Sequence, residues 1–239
     1  MKKIIVLSLL TALWSCKKEP IELAGNGTLL RQITVNGKPD QTFEYSGTLL
    51  IKENRFGFCE KNPADEFFYS YQGTKLTKLK SILRGIYSST TAICDPASPG
   101  DQSEETFEYD SQNRLVKVTR QKSYTEYIYN TKGQVEKLIL YGGTNPLTAT
   151  FKYDAKGNIT ETSDYSGYIT QYEYDDKINP FYVMNQKPSW ISPYNKSPNN
   201  IIKTTWPQGN YTRTLKYNDL GLPTEMKESN GQTYFFVYQ

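Results

Sequence analysis

Histidine is absent from the 239-residue chain. Without an imidazole, the Ser-His and Cys-His pairs of many hydrolases are excluded, and so are the common zinc sites. The glycines recur in turn-like segments rather than in a glycine-rich phosphate loop. We therefore predict no catalytic residues, no metal site and no cofactor.

An excess of charge of one sign is also lacking. Lys and Arg number 28 against 25 Asp and Glu, for a net charge of +3. The basic residues are scattered among the acidic ones, whereas a nucleic-acid interface needs them clustered on one face. We predict no nucleic-acid partner, and the composition, 37% hydrophobic and 22% charged, is ordinary for one globular domain.

Long apolar runs are scarce, and the strongest one lies at the N-terminus. Lys2 and Lys3 precede a mainly apolar region of 11 residues, Ile4 to Trp14. A membrane-spanning helix needs about 20 residues, so this run is too short to cross a bilayer. A basic start followed by a short apolar run is typical of a removable signal peptide.

The residues Leu13-Trp14-Ser15-Cys16 resemble the bacterial lipobox, in which a small residue precedes an acylated cysteine. Trp14 departs from the commonest pattern. The resemblance implies a lipoprotein signal peptide at 1–15, a lipid on Cys16, a tether at 16–26 and a domain at 27–239. The membrane would then be a partner through the lipid, with the protein in the cell envelope, on either face of the outer membrane. The alternative is an ordinary secretory signal whose cysteine is incidental.

Cysteine is limited to three residues. If Cys16 carries lipid, Cys59 and Cys94 are left as an even pair in an oxidising compartment, which favours a disulfide. Two cysteines in a sequence do not establish a geometry. The alternative is therefore two separate small hydrophobic residues, one in a strand and one in a loop.

Tyrosine, in contrast, is abundant, with 20 residues. A tyrosine phrase recurs along the chain: an aromatic residue or leucine, any residue, tyrosine, and then polar turn residues with glycine. The tyrosine of each phrase is called its anchor tyrosine. The anchor tyrosines are Tyr45, Tyr71, Tyr109, Tyr129, Tyr153, Tyr174 and Tyr217, with Tyr238 closing the chain.

Each tyrosine phrase has the pattern of a β-hairpin. The residue two before the tyrosine lies on the same face of a strand, and the polar residue between them faces the other way. The Asp or Asn that follows can bond the turn backbone, and Gly133, Gly157 and Gly221 supply the positive φ of a tight reversal. Asn113 takes this position after Tyr109.

Segments of this kind tile the chain and predict an all-β fold, a repetitive antiparallel meander of 14 to 16 strands. Open sheets of that length do not stay flat, so we expect a twisted or curled sheet. The domain begins at Gly27-Thr28-Leu29, the second half of a phrase, and finishes on Phe236-Val237-Tyr238, the first half. We expect these two ends to act as caps of a stack.

The phrase Tyr-Asp-x-x-Gly-x-Leu resembles the YD or RHS repeat of bacterial surface proteins, which folds as successive β-hairpins. More narrowly, the segments YEYDDKINPF at 172–181, SPNNIIK at 197–203 and YNDLGLPTEMK at 217–227 resemble uncharacterised lipoproteins of Bacteroidetes. The resemblance covers about residues 27–239 and implies a single repeat domain. Large RHS proteins form a shell around a toxin, but this chain has too few repeats to enclose one.

Two segments break the repeat and are the candidate functional surfaces. Residues 82–105 are polar and predict a solvated loop. Residues 176–208 are rich in proline and aromatic residues. Such rings, held rigidly, suit stacking on sugars or packing against a protein partner; the alternative is that they plug one face of the sheet. Within this second segment, Trp190 and Tyr194 are the candidate binding residues, and Phe181 and Trp206 are assigned to the core.

Two classes of function follow from these features. The first is a non-enzymatic binding or scaffold lipoprotein whose ligand is a glycan or an envelope protein. The alternative is an enzyme acting on extracellular polysaccharide, which would need two convergent carboxylates. The recurring acids Asp110, Asp154 and Asp175 do not supply them, because their positions mark them as turn formers.

Overall fold

The computed structural model describes residues 28–57, 59–84, 94–97, 99–184 and 192–239. Cys16 and Trp190 lie outside these residues. Within the described ranges, no helix is long and apolar enough to cross a membrane.

The described residues form an all-β fold with two short helices. The first eight strands are β1 (Leu30–Val35), β2 (Lys38–Ser46), β3 (Leu49–Arg55), β4 (Asp65–Gln72), β5 (Lys75–Leu83), β6 (Asp101–Tyr109), β7 (Leu115–Arg120) and β8 (Ser123–Tyr129). The next elements are β9 (Val135–Tyr141), β10 (Leu147–Tyr153), β11 (Ile159–Ser163), β12 (Ile169–Ile178), α1 (Pro180–Met184) and α2 (Pro193–Lys196). The last strands are β13 (Asn199–Trp206), β14 (Gly209–Tyr217), β15 (Pro223–Glu228) and β16 (Thr233–Tyr238). Their number and antiparallel order confirm the predicted meander.

The sheet closes into a barrel, so the prediction of an open, curled sheet was wrong. Each strand pairs with its neighbours along the chain, and β1 also pairs with β16. Ile33 lies opposite Phe236, and Leu30 lies opposite Tyr238. The two ends of the domain are not caps, because β16 and β1 are the two halves of one hairpin. The barrel is therefore a ring of hairpins, one of which is cut where its turn would be.

A β-bulge follows the tyrosine of each hairpin. Tyr109 lies opposite Leu115 and Glu108 lies opposite Lys117, so Val116 is an extra residue. The same register shift occurs at Tyr45, Tyr71, Tyr129, Tyr153, Tyr174 and Tyr217. Such bulges bend the strand and increase its twist, which helps a sheet of short strands to curve into a ring.

The anchor tyrosines tie each hairpin to the one before it. Tyr129 Oη donates a hydrogen bond of 2.7 Å to the carbonyl oxygen of Leu115, which stands beside the preceding bulge. Burial raises the pKa of Tyr129 to about 12, so its hydroxyl keeps the proton that it donates. The equivalent bonds join Tyr45 to Leu30, Tyr71 to Leu50, Tyr109 to Leu76, Tyr153 to Val135, Tyr174 to Ile159 and Tyr238 to Pro223.

The turns after the tyrosines have the predicted chemistry. Asp154 Oδ1 accepts the backbone N–H groups of Lys156 at 2.8 Å and Asn158 at 2.9 Å. Gly157 has a φ of +92°, and Asn113 takes a φ of +61° in the equivalent place. These values confirm that the sequence marks left-handed turn positions.

The barrel has two distinct ends. The turns that follow the tyrosines share one end, called here the tyrosine end, where the N–H of Gln239 donates to the carbonyl oxygen of Leu29 at 3.0 Å. At the opposite, disulfide end, Cys59 and Cys94 form a disulfide between the loop after β3 and the loop before β6. The second loop covers residues 84–100, which is shorter than the predicted break of 82–105, because β5 and β6 extend into that segment.

The two faces of the wall differ in polarity. Inward-facing side chains form the main core, which includes Phe43, Leu50, Phe107, Leu138 and Phe151. The outer face carries ion pairs between neighbouring strands. These pairs include Lys78–Glu104, Lys152–Glu161, Lys203–Glu173 and Lys216–Glu225. Exposed pairs add little stability, but they give the outer face the charged character of a surface in water.

Candidate functional site

The second break in the repeat is an insertion at the tyrosine end. β12 continues to Ile178 and β13 begins at Asn199, so the insertion comprises residues 179–198 rather than the predicted 176–208. It takes the place of the turn in its hairpin and contains α1 and α2. Its described parts are residues 179–184 and 192–198.

The hairpin that carries the insertion keeps the aspartate hydrogen bonds found in the other turns. Asp175 Oδ1 accepts the backbone N–H of Lys177 at 3.0 Å, as a turn aspartate does. Its second backbone donor is Asn200, also at 3.0 Å, from beyond the insertion. Tyr217 Oη donates to the same carboxylate. Asp175 therefore joins the two strands where the chain leaves and re-enters the sheet.

A buried hydrogen-bond network fixes the base of the insertion. Asn179 Nδ2 donates to the carbonyl oxygens of Tyr194 at 2.6 Å and Ser197 at 2.8 Å. Ser197 Oγ accepts the N–H of Ile159 at 3.0 Å and donates to Tyr174 Oη at 2.9 Å. Asn179 and Ser197 are both buried. Because buried polar groups are costly to leave unpaired, this network opposes displacement of the insertion.

The first half of the insertion acts as a plug. Pro180 and Met184 are buried, α1 contacts β1, and Phe181 packs against the main core. The assignment of Phe181 to the core is thus confirmed. The assignment of Trp206 was wrong: its ring lies beside Gly209 at the end of β13 and, unlike Phe181, is not among the described residues packed against the main core.

Tyr194, predicted as a binding residue, is held by the barrel wall. Arg213 Nη2 donates to Tyr194 Oη at 2.7 Å, and the guanidinium lies 5.3 Å from the ring centroid. Arg213 also donates to Thr204 Oγ1 at 3.0 Å and pairs with Glu228 at 3.1 Å. The Tyr194 side chain is still 46% exposed. Its hydroxyl is engaged, but much of its ring can be reached from solvent.

A cavity of about 350 Å³ lies between the insertion and strands β7 to β11. It is called here the arginine cavity. Its walls combine aromatic rings with hydroxyl, carboxylate and guanidinium groups. The lining includes Tyr127, Phe151, Tyr165, Arg120, Thr125, Thr162, Ser163, Asp164 and, from the insertion, Ser192 and Pro193. Sequence reasoning missed this cavity, because its residues come from five successive strands and from the insertion, and no single segment carries them.

Arg120 is positioned by an acid on the neighbouring strand. Its Nε donates to Glu105 Oε1 at 2.6 Å. Glu105 Oε2 is buried and has no hydrogen-bond partner among the described residues. Since an unsatisfied buried carboxylate oxygen is costly, this oxygen marks a place where a hydrogen-bond donor would be stabilising.

Three inward-facing glutamates are engaged by arginine. Glu53 pairs with Arg55 at 2.9 Å, Glu105 pairs with Arg120, and Glu228 pairs with Arg213. Each carboxylate lies against its guanidinium, as in a structural ion pair.

No protein-family model and no curated protein matches the chain. Among solved structures, it is similar to a porin-like protein from Bacteroides uniformis, with 11% identity, 88% of this chain and 98% of that chain covered, and a TM-score of 0.40. It is also similar to the Photorhabdus luminescens Tc holotoxin pore with the mutation TccC3-D651A, at 12% identity and a TM-score of 0.31. That match covers 83% of this chain and 13% of the toxin chain. A third similarity is to TcdB2-TccC3, at 12% identity and a TM-score of 0.34. That match covers 85% of this chain and 12% of the TcdB2-TccC3 chain. The chain spans about an eighth of the two toxin chains.

Proposed function

We propose that this protein is a lipid-anchored, non-enzymatic envelope protein that binds a small glycan in the arginine cavity. The observation that carries the proposal is the composition of that cavity, in which aromatic rings stand beside hydrogen-bonding groups in about 350 Å³. This volume is at the lower end of the range for ligand pockets, about 300–1,000 Å³. The cavity therefore fits the end of a short glycan better than a long polymer.

Sugars present both apolar C–H faces and hydroxyl groups, and the cavity matches both. The rings of Tyr127, Phe151 and Tyr165 supply apolar surface, and Tyr165 is 37% exposed. Arg120 supplies a donor for hydroxyl groups, and Asp164, whose Oδ1 accepts the N–H groups of Ser166 and Tyr168, supplies an acceptor through its carboxylate. A few polar groups on an aromatic wall fix the orientation of a ligand and give specificity.

The ion pairs of the barrel favour binding over catalysis. Three inward-facing glutamates are engaged by arginine, whereas glycoside hydrolysis uses two carboxyl groups that act on the scissile bond. The charged outer face suits contact with water. Ligand sites are concave and mostly apolar, so the site is expected inside the barrel rather than on its outer face.

The position of the first strand is compatible with the proposed anchor. β1 begins at the tyrosine end. Eleven residues lie between Cys16 and Thr28, a span of at most about 40 Å when extended. A lipid on Cys16 would therefore keep the tyrosine end near the membrane. Asp164 and Tyr165 of the arginine cavity lie in a turn at the disulfide end, which would face away from it.

Calorimetric titration with oligosaccharides, guided by a glycan array, tests the binding. We expect Tyr165→Ala to weaken binding about tenfold or more, since stacking and burial of an aromatic ring contribute about 1–3 kcal/mol. Tyr168→Ala is the matched control, because Tyr168 lies in the same turn, is similarly exposed at 38% and does not line the cavity. Failure of the wild type to bind any glycan, or equal affinities for both variants, would refute the proposal.

The anchor is tested separately by labelling cells with a palmitate analogue. The wild type is expected to carry the label in the membrane fraction, and Cys16→Ala is expected to lose it. Label retained by Cys16→Ala would reject the anchor without affecting the glycan site.

A further inference from the structure

A second cavity, of about 620 Å³, lies at the disulfide end of the barrel. It is called here the aspartate cavity. It lies between the β1–β2 turn, the loop after β3 and the β15–β16 turn. The polar part of its lining includes Asn36, Lys38, Asp40, Arg55, Gln232 and Tyr234. The aspartate cavity and the arginine cavity share no lining residue, so they are separate sites.

The cations of this lining are already engaged by carboxylates. Among the described residues that line the cavity, the cations are Lys38 and Arg55. Lys38 Nζ donates to Glu60 Oε1 at 2.6 Å, and Arg55 Nε donates to Glu53 Oε1 at 2.9 Å. The Arg55 guanidinium also lies 4.6 Å from the centroid of the Phe67 ring. An anionic ligand would therefore have to compete with an acid at each cation.

Asp40 is the acid of the same lining, and its carboxylate is held by a neutral group. Asp40 Oδ2 accepts Gln41 Nε2 at 3.2 Å, and within the described ranges no ion pair includes this partly buried residue. Burial raises the pKa of Asp40 above its usual value of 3.8, against the hydrogen bond from Gln41 and the positive charge of Arg55, while the charge of Glu53 adds to the rise. A cation bound beside Asp40 would offset the cost of this burial, because an opposite charge stabilises the ionised form.

The neutral groups of the lining suit the hydroxyl groups and ring of a sugar. Asn36 Oδ1 accepts the N–H of Thr233 at 3.0 Å, and Gln232 Oε1 accepts the hydroxyl of Tyr234 at 3.0 Å. These bonds engage the carbonyl end of each amide and leave its NH₂ group as a donor. Tyr234 Oη also bonds Glu228 Oε2 at 3.1 Å, so this tyrosine offers its ring to a ligand. Aromatic rings contribute large apolar contact.

We propose that the aspartate cavity binds an amino sugar, with its ammonium group on Asp40 and its ring against Tyr234. Asn36 and Gln232 then donate to hydroxyl oxygens of the sugar. One carboxylate matches one ammonium group, whereas a calcium ion takes about six to eight oxygen ligands. The volume of about 620 Å³ lies within the range for ligand pockets, about 300–1,000 Å³. The proposal does not depend on the glycan site in the arginine cavity.

Calorimetric titration of the protein with D-glucosamine and D-glucose at about pH 6 tests the proposal, because an amine is then protonated and a carboxyl group is ionised. The two sugars differ at one carbon, which carries an ammonium group in glucosamine and a hydroxyl group in glucose. We expect glucosamine to bind about tenfold or more tightly than glucose, the effect of one charge-assisted hydrogen bond. Equal affinities, or no binding of glucosamine, would overturn the proposal.

Three substitutions assign this preference to a site. Asp40→Asn should remove the preference, because asparagine keeps the size of the side chain and an acceptor for Gln41 but loses the charge. Asp101→Asn is the matched control, since it removes one negative charge from an exposed residue at the same end that does not line the cavity. Tyr165→Ala, which tests the arginine cavity, should keep the preference as well. A preference retained by Asp40→Asn, or lost in either of the other two variants, would contradict the assignment.

A spectroscopic measurement on the wild type avoids dependence on a variant that folds poorly. The carboxyl signals of ¹³C-labelled aspartates are recorded during titration and assigned through their backbone correlations. Glucosamine is expected to shift the Asp40 signal and to lower the pKa of Asp40, because the ammonium group stabilises the ionised carboxylate. Glucose is expected to do neither, and the Asp101 signal should stay in place with both sugars. An Asp40 signal that glucosamine does not move would overturn the proposal.

Discussion

Tyr217 Oη donates a hydrogen bond to the carboxylate of Asp175. The equivalent bond elsewhere runs to a backbone carbonyl, as from Tyr153 to Val135. The exception lies where the insertion replaces a turn. By analogy with the other hairpins, the acceptor would be the carbonyl of Ile201, the residue opposite Tyr174. The carboxylate of Asp175 thus connects the base of the insertion to the hairpin that follows it.

This difference predicts unequal effects of two matched substitutions. Tyr153→Phe removes a hydrogen bond to a neutral carbonyl and should lower the free energy of unfolding by about 1 kcal/mol. Tyr217→Phe removes a bond to a charged acceptor and should lower it by about 1.5–3 kcal/mol. Urea unfolding of both variants measures the difference, with Tyr168→Phe, in an exposed turn, as the control. Equal losses for the two would show that the carboxylate adds nothing to the bond.

The hairpins could be predicted from the sequence because their signals are local. The tyrosine, the Asp or Asn after it and the glycine lie within a few residues, and turn geometry depends on those residues alone. A sign of the bulge was also available. Leu115 and Val118 are both buried although they are three residues apart, whereas an unbroken strand would bury residues two apart.

Closure and the cavities could not be predicted in the same way, because they depend on long-range pairing. Half-phrases stand at the two ends of the domain, but only the pairing of Leu30 with Tyr238 shows that they complete each other. The contact between Arg120 and Glu105 depends on the register of two strands after a bulge. Proline and aromatic content marked the insertion, but its inward course follows from the bonds of Asn179 and Ser197.

The cut hairpin predicts that the domain tolerates circular permutation. Gln239 N–H bonds to the carbonyl of Leu29 at 3.0 Å, so a short turn can join residue 239 to residue 28. New termini can be placed at Gly143 and Thr144, in the exposed turn between β9 and β10. We expect this permutant to fold with the same circular dichroism spectrum and equal or higher Tm, because tolerated permutations open at exposed turns.

A second permutant provides the control. Opening the chain inside β13, between Ile201 and Ile202, breaks pairing with both β12 and β14 and should prevent cooperative unfolding. If the permutant opened at Gly143 also failed to fold, the two ends of the chain would not be halves of one equivalent hairpin.

The disulfide predicts sensitivity to reduction at one end of the barrel. Cys59 and Cys94 enclose a separation of 35 residues, and closing a loop of that size stabilises a protein by about 3–4 kcal/mol in the chain-entropy model. Cys59→Ser with Cys94→Ser should lower the free energy of unfolding by up to about that amount. Thermal unfolding with and without reductant measures it. The wild type should lose Tm on reduction, and the double variant should not respond.

Hydrogen exchange then locates the effect of reduction. Protection is expected to fall first near Ala64, which packs with the two cysteines in a small separate core, and to persist at Phe151 in the main core. Loss of protection at both places together would indicate that the disulfide supports the whole barrel rather than one end.

The acid dependence of stability should include a contribution from the turn aspartate Asp110. The backbone N–H of Arg114 and its guanidinium bond this carboxylate, and together they hold its pKa below the usual value of 3.8 despite some burial. A lowered folded-state pKa gives stability that is present above about pH 4 and lost as the pH falls through the folded value. Asp110→Asn keeps an acceptor for the turn, as Asn130 does for Lys132 and Gln134, but cannot titrate. We expect its Tm to fall less than that of the wild type between about pH 5 and pH 2.

Asp219→Asn is the control, since Asn218 and not Asp219 accepts the amides of that turn. If the Tm of this control also fell less than that of the wild type, the effect would come from net charge rather than from the Asp110 turn.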